Sequence, residues 1–356
     1  MEVSLSAAPW RIRPYRPGDE RALVALWPEA FGRAMTEEHW RWKAKGRPTP
    51  VENVGIAVAA DDRPIFQFVG MPSPAIVLGT TRTVMIGADV VTAPEFRRRG
   101  VFTLTARRLF DTWRDAGVAL VLGLANDYRW GSRAEALGYE RYFRLRWLMR
   151  PLRPERLLAR KAGIRALARL RGAGQLWNRA WHRAPPPDVA LRPLPHATPE
   201  IDAVWERAAR CATFQTSLIR DRAWVAWRYC DPPHNGYCLT LAERAGSPAG
   251  YAVYRVARTA AGSVVHVPEI FAPGDPLALR ALVHGVIACA AAEDADSIVT
   301  LAVPGSGVDR TLRRAGFLLS PGAYLVEAIR LDATIPSAAL GDPRGWWLAG
   351  GDFDVI

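Results

Sequence analysis

The sequence predicts a mixed α/β fold in two tandem domains, each a twisted mixed β-sheet flanked by helices. Three observations carry this expectation. Strand-type and helix-type segments alternate along the chain, the signature of a sheet with helices on its faces. A set of landmarks occurs twice in the same order. The 356 residues, 49% hydrophobic and 23% charged, are enough for two cores and exclude a mainly disordered chain.

The first half holds His39-Trp-Arg-Trp42-Lys43 with prolines at 48 and 50; the second holds Trp224-Val-Ala-Trp227-Arg228 with prolines at 232 and 233. Val90-Val-Thr-Ala-Pro94 is matched by Glu269-Ile-Phe-Ala-Pro273, and Ala134-Glu-Ala-Leu-Gly138-Tyr139 by Leu312-Arg-Arg-Ala-Gly316-Phe317. From proline to glycine the interval is 44 residues in one half and 43 in the other. This is far longer than a solenoid period and implies two copies of one fold. The expected division is a first domain over 1–150, a basic proline-bounded linker helix over 151–187, a degenerate second copy over 188–332 and a Trp-rich tail over 333–356.

In the first copy, residues 10–15 read as a short strand and 19–31 as a helix with Asp19 as N-cap. Residues 36–45 form a second helix entered at Thr36, and strands follow at 54–60, 65–71, 75–78 and 83–92. Residues 101–116 make a helix ended by Gly117. The apolar run 118–124 has the character of a buried central strand. A short helix over 129–137 stops at Gly138, and 141–148 is the last strand. In the second copy a helix over 277–292 and a strand over 297–303 survive.

The net charge of +12 is a local feature. Between Arg144 and Arg183 lie twelve basic residues and one acid, Glu155, while the remainder holds 35 basic and 34 acidic residues. A solvated connecting helix over 155–171 explains such a stripe and argues against a nucleic-acid partner. No apolar stretch reaches the ~18–20 residues of a membrane span, and the N-terminus lacks the basic and apolar regions of an export signal. Four cysteines without Cys-x-x-Cys and six histidines without His-Glu-x-x-His lead to the expectation of a cytoplasmic protein with no metal.

The sharpest local signal is Asp89-Val-Val-Thr-Ala-Pro-Glu-Phe-Arg97-Arg-Arg-Gly100-Val-Phe102-Thr103. A strand ends, the chain turns at Pro94, and an arginine run leads to a glycine at a helix start. The first amides of that helix lack intrahelical acceptors, and the helix dipole favours negative charge there. Gly100 allows close backbone approach, and Arg97, Arg98 and Arg99 supply guanidinium groups suited to phosphate. A pyrophosphate is the natural guest.

Arg97-Arg-Arg-Gly100-Val-Phe102 after a strand resembles the acyl-CoA loop, Arg/Gln-x-x-Gly-x-Gly/Ala, of the GCN5-related N-acetyltransferase (GNAT) superfamily, with Phe102 departing at the last position. Asn126 followed by Leu137-Gly138-Tyr139 is similar to the family's second landmark. The resemblance covers residues 80–150. It implies that Val90, Val91 and Thr92 hold the pantetheine arm, that Arg97, Arg98, Arg99, Gly100, Val101, Phe102 and Thr103 hold the pyrophosphate, and that Asn126 completes the acyl-CoA site. It also implies acyl transfer, with acetyl-CoA or another acyl-CoA as donor and an amine-bearing acceptor. In the second copy Gly-Asp275-Pro replaces the arginine run, and Asp275 would repel a phosphate.

Amine attack on a thioester needs a base and an acid. Where family members carry a Tyr acid this chain has Ala134, which leaves Tyr128 as a substitute; Asp89 and Glu95 are the candidate bases, with His39 a further possibility. Some tandem GNAT enzymes place a chain terminus in the active site, which brings Asp352 and Asp354 into consideration. Two rival readings stand beside the transferase: a non-catalytic acyl-CoA-binding module, and a Fem-type transferase using aminoacyl-tRNA, supported only by the arginine stripe. The sequence leaves the acceptor, the acyl length and the oligomeric state open.

Overall fold

The computed structural model describes residues 9–125, 131–164, 171–182, 184–211, 213–233, 236–260 and 262–353. The chain divides into two compact units, one of residues 1–75, 81–141 and 326–339, the other of residues 76–80, 142–325 and 340–356.

The first half runs β1 (Trp10–Arg13), α1 (Glu20–Val24), α2 (Trp27–Phe31), α3 (Glu37–Lys45), β2 (Val54–Ala59), β3 (Pro64–Val77), β4 (Thr80–Thr92), α4 (Val101–Asp115), β5 (Leu120–Ala125), α5 (Gly131–Leu137) and β6 (Glu140–Pro151). The strands lie in the order β1-β2-β3-β4-β5. Pairs β1/β2 and β2/β3 are antiparallel and β4/β5 is parallel. One face of α4 supplies Val101, Ala106, Leu109, Phe110 and Trp113 to a core with Ile65, Phe66, Phe68, Met85 and Val121, the spacing of an amphipathic helix on a sheet. Glycines set the packing distance: a Cβ at Gly70 would lie 2.5 Å from the Trp113 ring.

Several local expectations are corrected. The helix expected over 19–31 is two short helices, broken where Trp27-Pro28 opens the second. Asp19 gives no side-chain cap; its carboxylate takes a bidentate pair from Arg13, with both contacts at 2.8 Å. The strands expected at 65–71 and 75–78 are one strand, β3, which continues through Pro72 and Pro74. Its pairing with β2 ends at Val69, so neither proline has to donate on that side.

The second half runs α6 (Pro154–Ala162), α7 (Arg171–Ala180), β7 (Val189–Leu194), α8 (Pro199–Arg210), β8 (Thr216–Leu218), α9 (Arg222–Val225), β9 (Cys238–Arg244), β10 (Ser247–Thr259), β11 (Gly262–Phe271), α10 (Pro276–Ala292), β12 (Ser297–Ala302), α11 (Gly307–Arg314) and β13 (Leu318–Arg330). Its strands follow the order β6-β12-β11-β10-β9-β7, with β11/β12 parallel and β9/β10/β11 antiparallel. Its core gathers Leu148, Val265, Val267, Leu282, Val283, Val286 and Ile298. The continuous helix expected over 155–171 is not formed: α6 stops at Gly163 in the left-handed conformation. The stripe arginines serve this unit, since Arg153 and Arg156 pair with Asp294, and Arg156 and Arg160 with the buried Asp296.

Each unit takes one strand from the other half of the sequence. Beside β5 in the first unit lies β13, whose residues 326–330 belong to that unit; beside β12 in the second lies β6, paired antiparallel from Arg146 to Pro151.

Candidate functional site

Gly100 caps α4 with φ +77° and no side chain. The first amide bonding back into the helix start is that of Leu104, to the Gly100 carbonyl at 3.0 Å. The amides of Val101, Phe102 and Thr103 therefore occupy the first turn, where the helix supplies no acceptor. Arg98 is also left-handed, at φ +62°, and Arg97 through Gly100 are exposed. Arg97 donates Nε to the Thr92 carbonyl at 3.1 Å, and the Arg99 guanidinium lies 5.7 Å from the Phe96 ring centre. Three exposed arginines thus directly precede a helix start that has no side-chain cap, an arrangement that suits a polyanion.

Phe102, the departure from the motif, packs edge-on to Phe66 with ring centres 6.1 Å apart and leans on the core. Its bulk turns inward. The mouth of α10 in the second unit is occupied from within: Asp275 accepts from the Ala278 amide at 2.9 Å and from Arg244 Nε at 2.8 Å. A carboxylate stands there as the cap, in the position an incoming phosphate oxygen would need.

Behind the α4 mouth, Val84, Met85 and Ile86 of β4 pair with Leu120, Val121 and Leu122 of β5. Past those pairs β4 continues to Thr92 and β5 to Ala125. Val91 is buried on this stretch, while Val90 and Thr92 are partly exposed. Asp89 sits in the middle with φ +53°, its carboxylate 2.5 Å from Lys43 Nζ in a pair both of whose side chains are buried. Its backbone carbonyl accepts from Gln67 Nε2 at 3.1 Å.

Glu95 lies apart from Asp89 in character. It is exposed and pairs with Arg63 at 3.2 Å; its own backbone amide, helped by Arg63, holds its carboxyl below the ordinary range, which weakens it as a base. Asn126 and Tyr128 lie outside the described residues. Ala134 is fully buried in the core, so the position of the family's tyrosine here serves packing.

The sequence gives no hint of Glu327. This residue of β13 is buried in the first unit. A Cβ at Gly123 would lie 3.3 Å from Glu327 Oε1 and 3.3 Å from Tyr139 Cε1, and one at Gly87 would lie 3.2 Å from the Tyr139 hydroxyl. Burial, with the Glu327 charge adding, pushes the Tyr139 hydroxyl far above its ordinary range. No spacing rule connects residue 327 to residue 139; only the exchanged strand brings them together.

The tail lies in the second unit. Asp352 and Glu269 are buried against Arg220, which reaches Asp352 at 2.5 Å and Glu269 at 3.1 Å. Arg228 donates to the carbonyls of Gly351 and Phe353 at 2.7 and 3.0 Å. Burial pushes Glu269 up to about 7, against the pull of Arg220 and with the Asp352 charge adding. Asp354 lies outside the described residues. Among the described residues no group of three or more His, Cys, Asp or Glu is placed to hold a metal ion, and no helix is long and apolar enough to cross a membrane.

Residues 11–142 match the family model of the acetyltransferase (GNAT) domain. No curated protein sequence matches the chain. Solved structures share the fold. A GCN5-related N-acetyltransferase from Anabaena variabilis superposes with TM-score 0.66 at 12% identity, over 91% of this chain and 73% of that one. A conserved protein of unknown function from Enterococcus faecalis, described as a probable N-acyltransferase, gives 0.66 at 15% identity over 91% and 73%. The Saccharomyces cerevisiae N-myristoyltransferase with bound myristoyl-CoA gives 0.61 at 13% identity over 91% and 83%. Residues 11–142, which carry the arginine loop and the α4 entry, are thus similar to the acetyltransferase (GNAT) domain, and the chain as a whole shares its fold with these solved acyltransferase structures.

Proposed function

We propose that the protein is a cytoplasmic acyl-CoA-dependent N-acyltransferase whose first unit binds the donor, acetyl-CoA being the first candidate. The observation that carries this reading is the start of α4, with Gly100 in place of a capping side chain and three exposed arginines just before it. The pyrophosphate would rest on the amides of Val101, Phe102 and Thr103, flanked by Arg97, Arg98 and Arg99. The pantetheine arm would lie along Val90, Val91 and Thr92. The amine nitrogen would bond to the thioester carbon, the C–S bond would break, and the ammonium proton would pass to a base as the thiolate leaves. Of the two described carboxylates Asp89, on β4 itself, is the favoured base and would act on release from its ion pair with Lys43; Glu95 is solvent-facing and stabilised as the anion.

The second unit reads as a degenerate copy. It repeats the order of three antiparallel strands, a helix and a parallel strand, but its helix mouth is capped by Asp275. One donor site per chain follows from this. The engagement of Arg153, Arg156 and Arg160 by Asp294 and Asp296 removes much of the support for an aminoacyl-tRNA donor.

Titration calorimetry with free coenzyme A tests the reading. One molecule bound per chain, with affinity falling as salt rises, is expected; absence of binding at millimolar coenzyme A refutes it. Thiol release from acetyl-CoA across a panel of amines then separates an enzyme from a binding module.

A further inference from the structure

If the phosphate end of a donor rests at the α4 mouth, just past Thr92, an arm extended back along β4 points its far end toward Gly87. That is five residues, about 17 Å at the usual strand rise. The end of this path is well defined. Pairing of β4 with β5 stops at Ile86 and Leu122, and the next residues, Gly87 and Gly123, carry no side chains.

The space the two glycines leave is closed by the Phe68 ring edge and by two side chains with polar ends. The Tyr139 hydroxyl lies under Gly87, and the Glu327 carboxyl and the Tyr139 ring edge lie under Gly123. Both side chains are buried. A buried carboxyl and phenol accept a carbonyl or a small group beside them, whereas methylenes pushed onto them cost desolvation and return no hydrogen bond. Glycines alone would have permitted a deep channel; the side chains beneath them end it.

We propose that Tyr139 and Glu327 form the end wall of the acyl channel and restrict the donor to short acyl groups. The inference rests on the acyl-CoA reading above. It sets this protein apart from a fold relative that holds myristoyl-CoA, and it assigns a specificity role to a strand contributed by the second half of the chain.

Calorimetry of the full chain with free coenzyme A and its acetyl, butyryl, hexanoyl and myristoyl thioesters decides it. Acetyl-CoA is expected to bind at least as tightly as coenzyme A, and the hexanoyl and myristoyl thioesters about 10-fold or more weakly than acetyl-CoA. Glu327→Ala should narrow the hexanoyl-to-acetyl gap several-fold, and Tyr139→Phe should move it the same way by less. Glu327→Gln keeps the volume and removes the charge; it should narrow the gap by less than alanine, through the lower desolvation cost, and provides the test where the alanine variant does not fold. Myristoyl-CoA binding on a par with acetyl-CoA overturns the inference, as does a length profile unmoved by both Glu327 variants. Free coenzyme A that fails to bind overturns the acyl-CoA reading itself, and the inference with it. Coenzyme A that binds with a flat length profile overturns only the inference.

Discussion

Replacing Arg220 by methionine exposes what holds the tail in the second unit. The guanidinium is fully buried and makes four contacts: Glu269 at 3.1 Å, Asp352 at 2.5 Å, Ser217 Oγ at 2.7 Å and the Leu218 carbonyl at 3.0 Å. Methionine keeps the apolar stem against Trp224 and Phe271, which Arg220 overlies at 5.5 and 5.4 Å. It leaves two carboxylates buried without the cation they share, and breaking such a pair costs about 3–5 kcal/mol. The deficit depends on pH. In the wild type, Glu269 is already raised from 4.5 to about 7. The stability its neutral form contributes is complete below the unfolded value and lost as pH climbs through about 7. Without Arg220 both carboxyls rise further, so the variant keeps losing stability at pH values where the wild type has levelled off. Urea unfolding followed by circular dichroism should show the full deficit at pH 8. At pH 5.5, below the raised Glu269 value, protonation relieves the unpaired charge and the deficit should be smaller by at least ~1.4 kcal/mol, the worth of one pKa unit. A deficit below about 1 kcal/mol at pH 8, or equal deficits at both values, refutes the argument.

Glu269→Gln should flatten the wild-type decline in stability between pH 5 and pH 8, read by the same unfolding curves. Gly100→Ala places a Cβ at φ +77°; it should cost about 1–2 kcal/mol and weaken coenzyme A binding, measured by calorimetry. Lys43→Met removes the ammonium from the buried Asp89 and should destabilise the first unit by about 3–5 kcal/mol; the double variant with Asp89→Leu should recover much of that loss in thermal unfolding.

What the sequence disclosed was local. The α4 helix, its Gly100 entry, the arginine run and the buried β5 strand all follow from neighbours in the chain, and α3 starts at Thr36, whose hydroxyl accepts from the His39 amide as its position suggests. Long-range partners were invisible. Asp19 looks like a cap by position, yet Arg13 takes its carboxylate. Pro72 and Pro74 look like breaks, yet β3 runs on because β2 ends before them. The clearest case is Glu327. As a charge in a run of apolar residues it carries no periodic signal, and its meaning comes from β13 joining the first unit. The inward turn of Phe102 was equally hidden, because a one-letter mismatch in a motif does not say which way a side chain points.

The exchanged strand gives the second half of the chain a structural role in the first unit. In the second unit the mouth of α10 is capped by Asp275, and the second half of the chain supplies the first unit with residues 326–339. Those residues place a neighbour beside β5, contribute Ile329 and Leu331 to the core and bring in Glu327. A fragment of residues 1–150 would keep the whole arginine loop but leave the apolar β5 as an unprotected edge, which invites aggregation. Its expected behaviour is poor solubility and no measurable coenzyme A binding, even though every residue proposed to touch the donor's phosphates is present. Size-exclusion chromatography and calorimetry on the fragment check this. A soluble monomer with the affinity of the full chain would show that β6 can fold back beside β5 in place of β13, and that the second half is dispensable for donor binding.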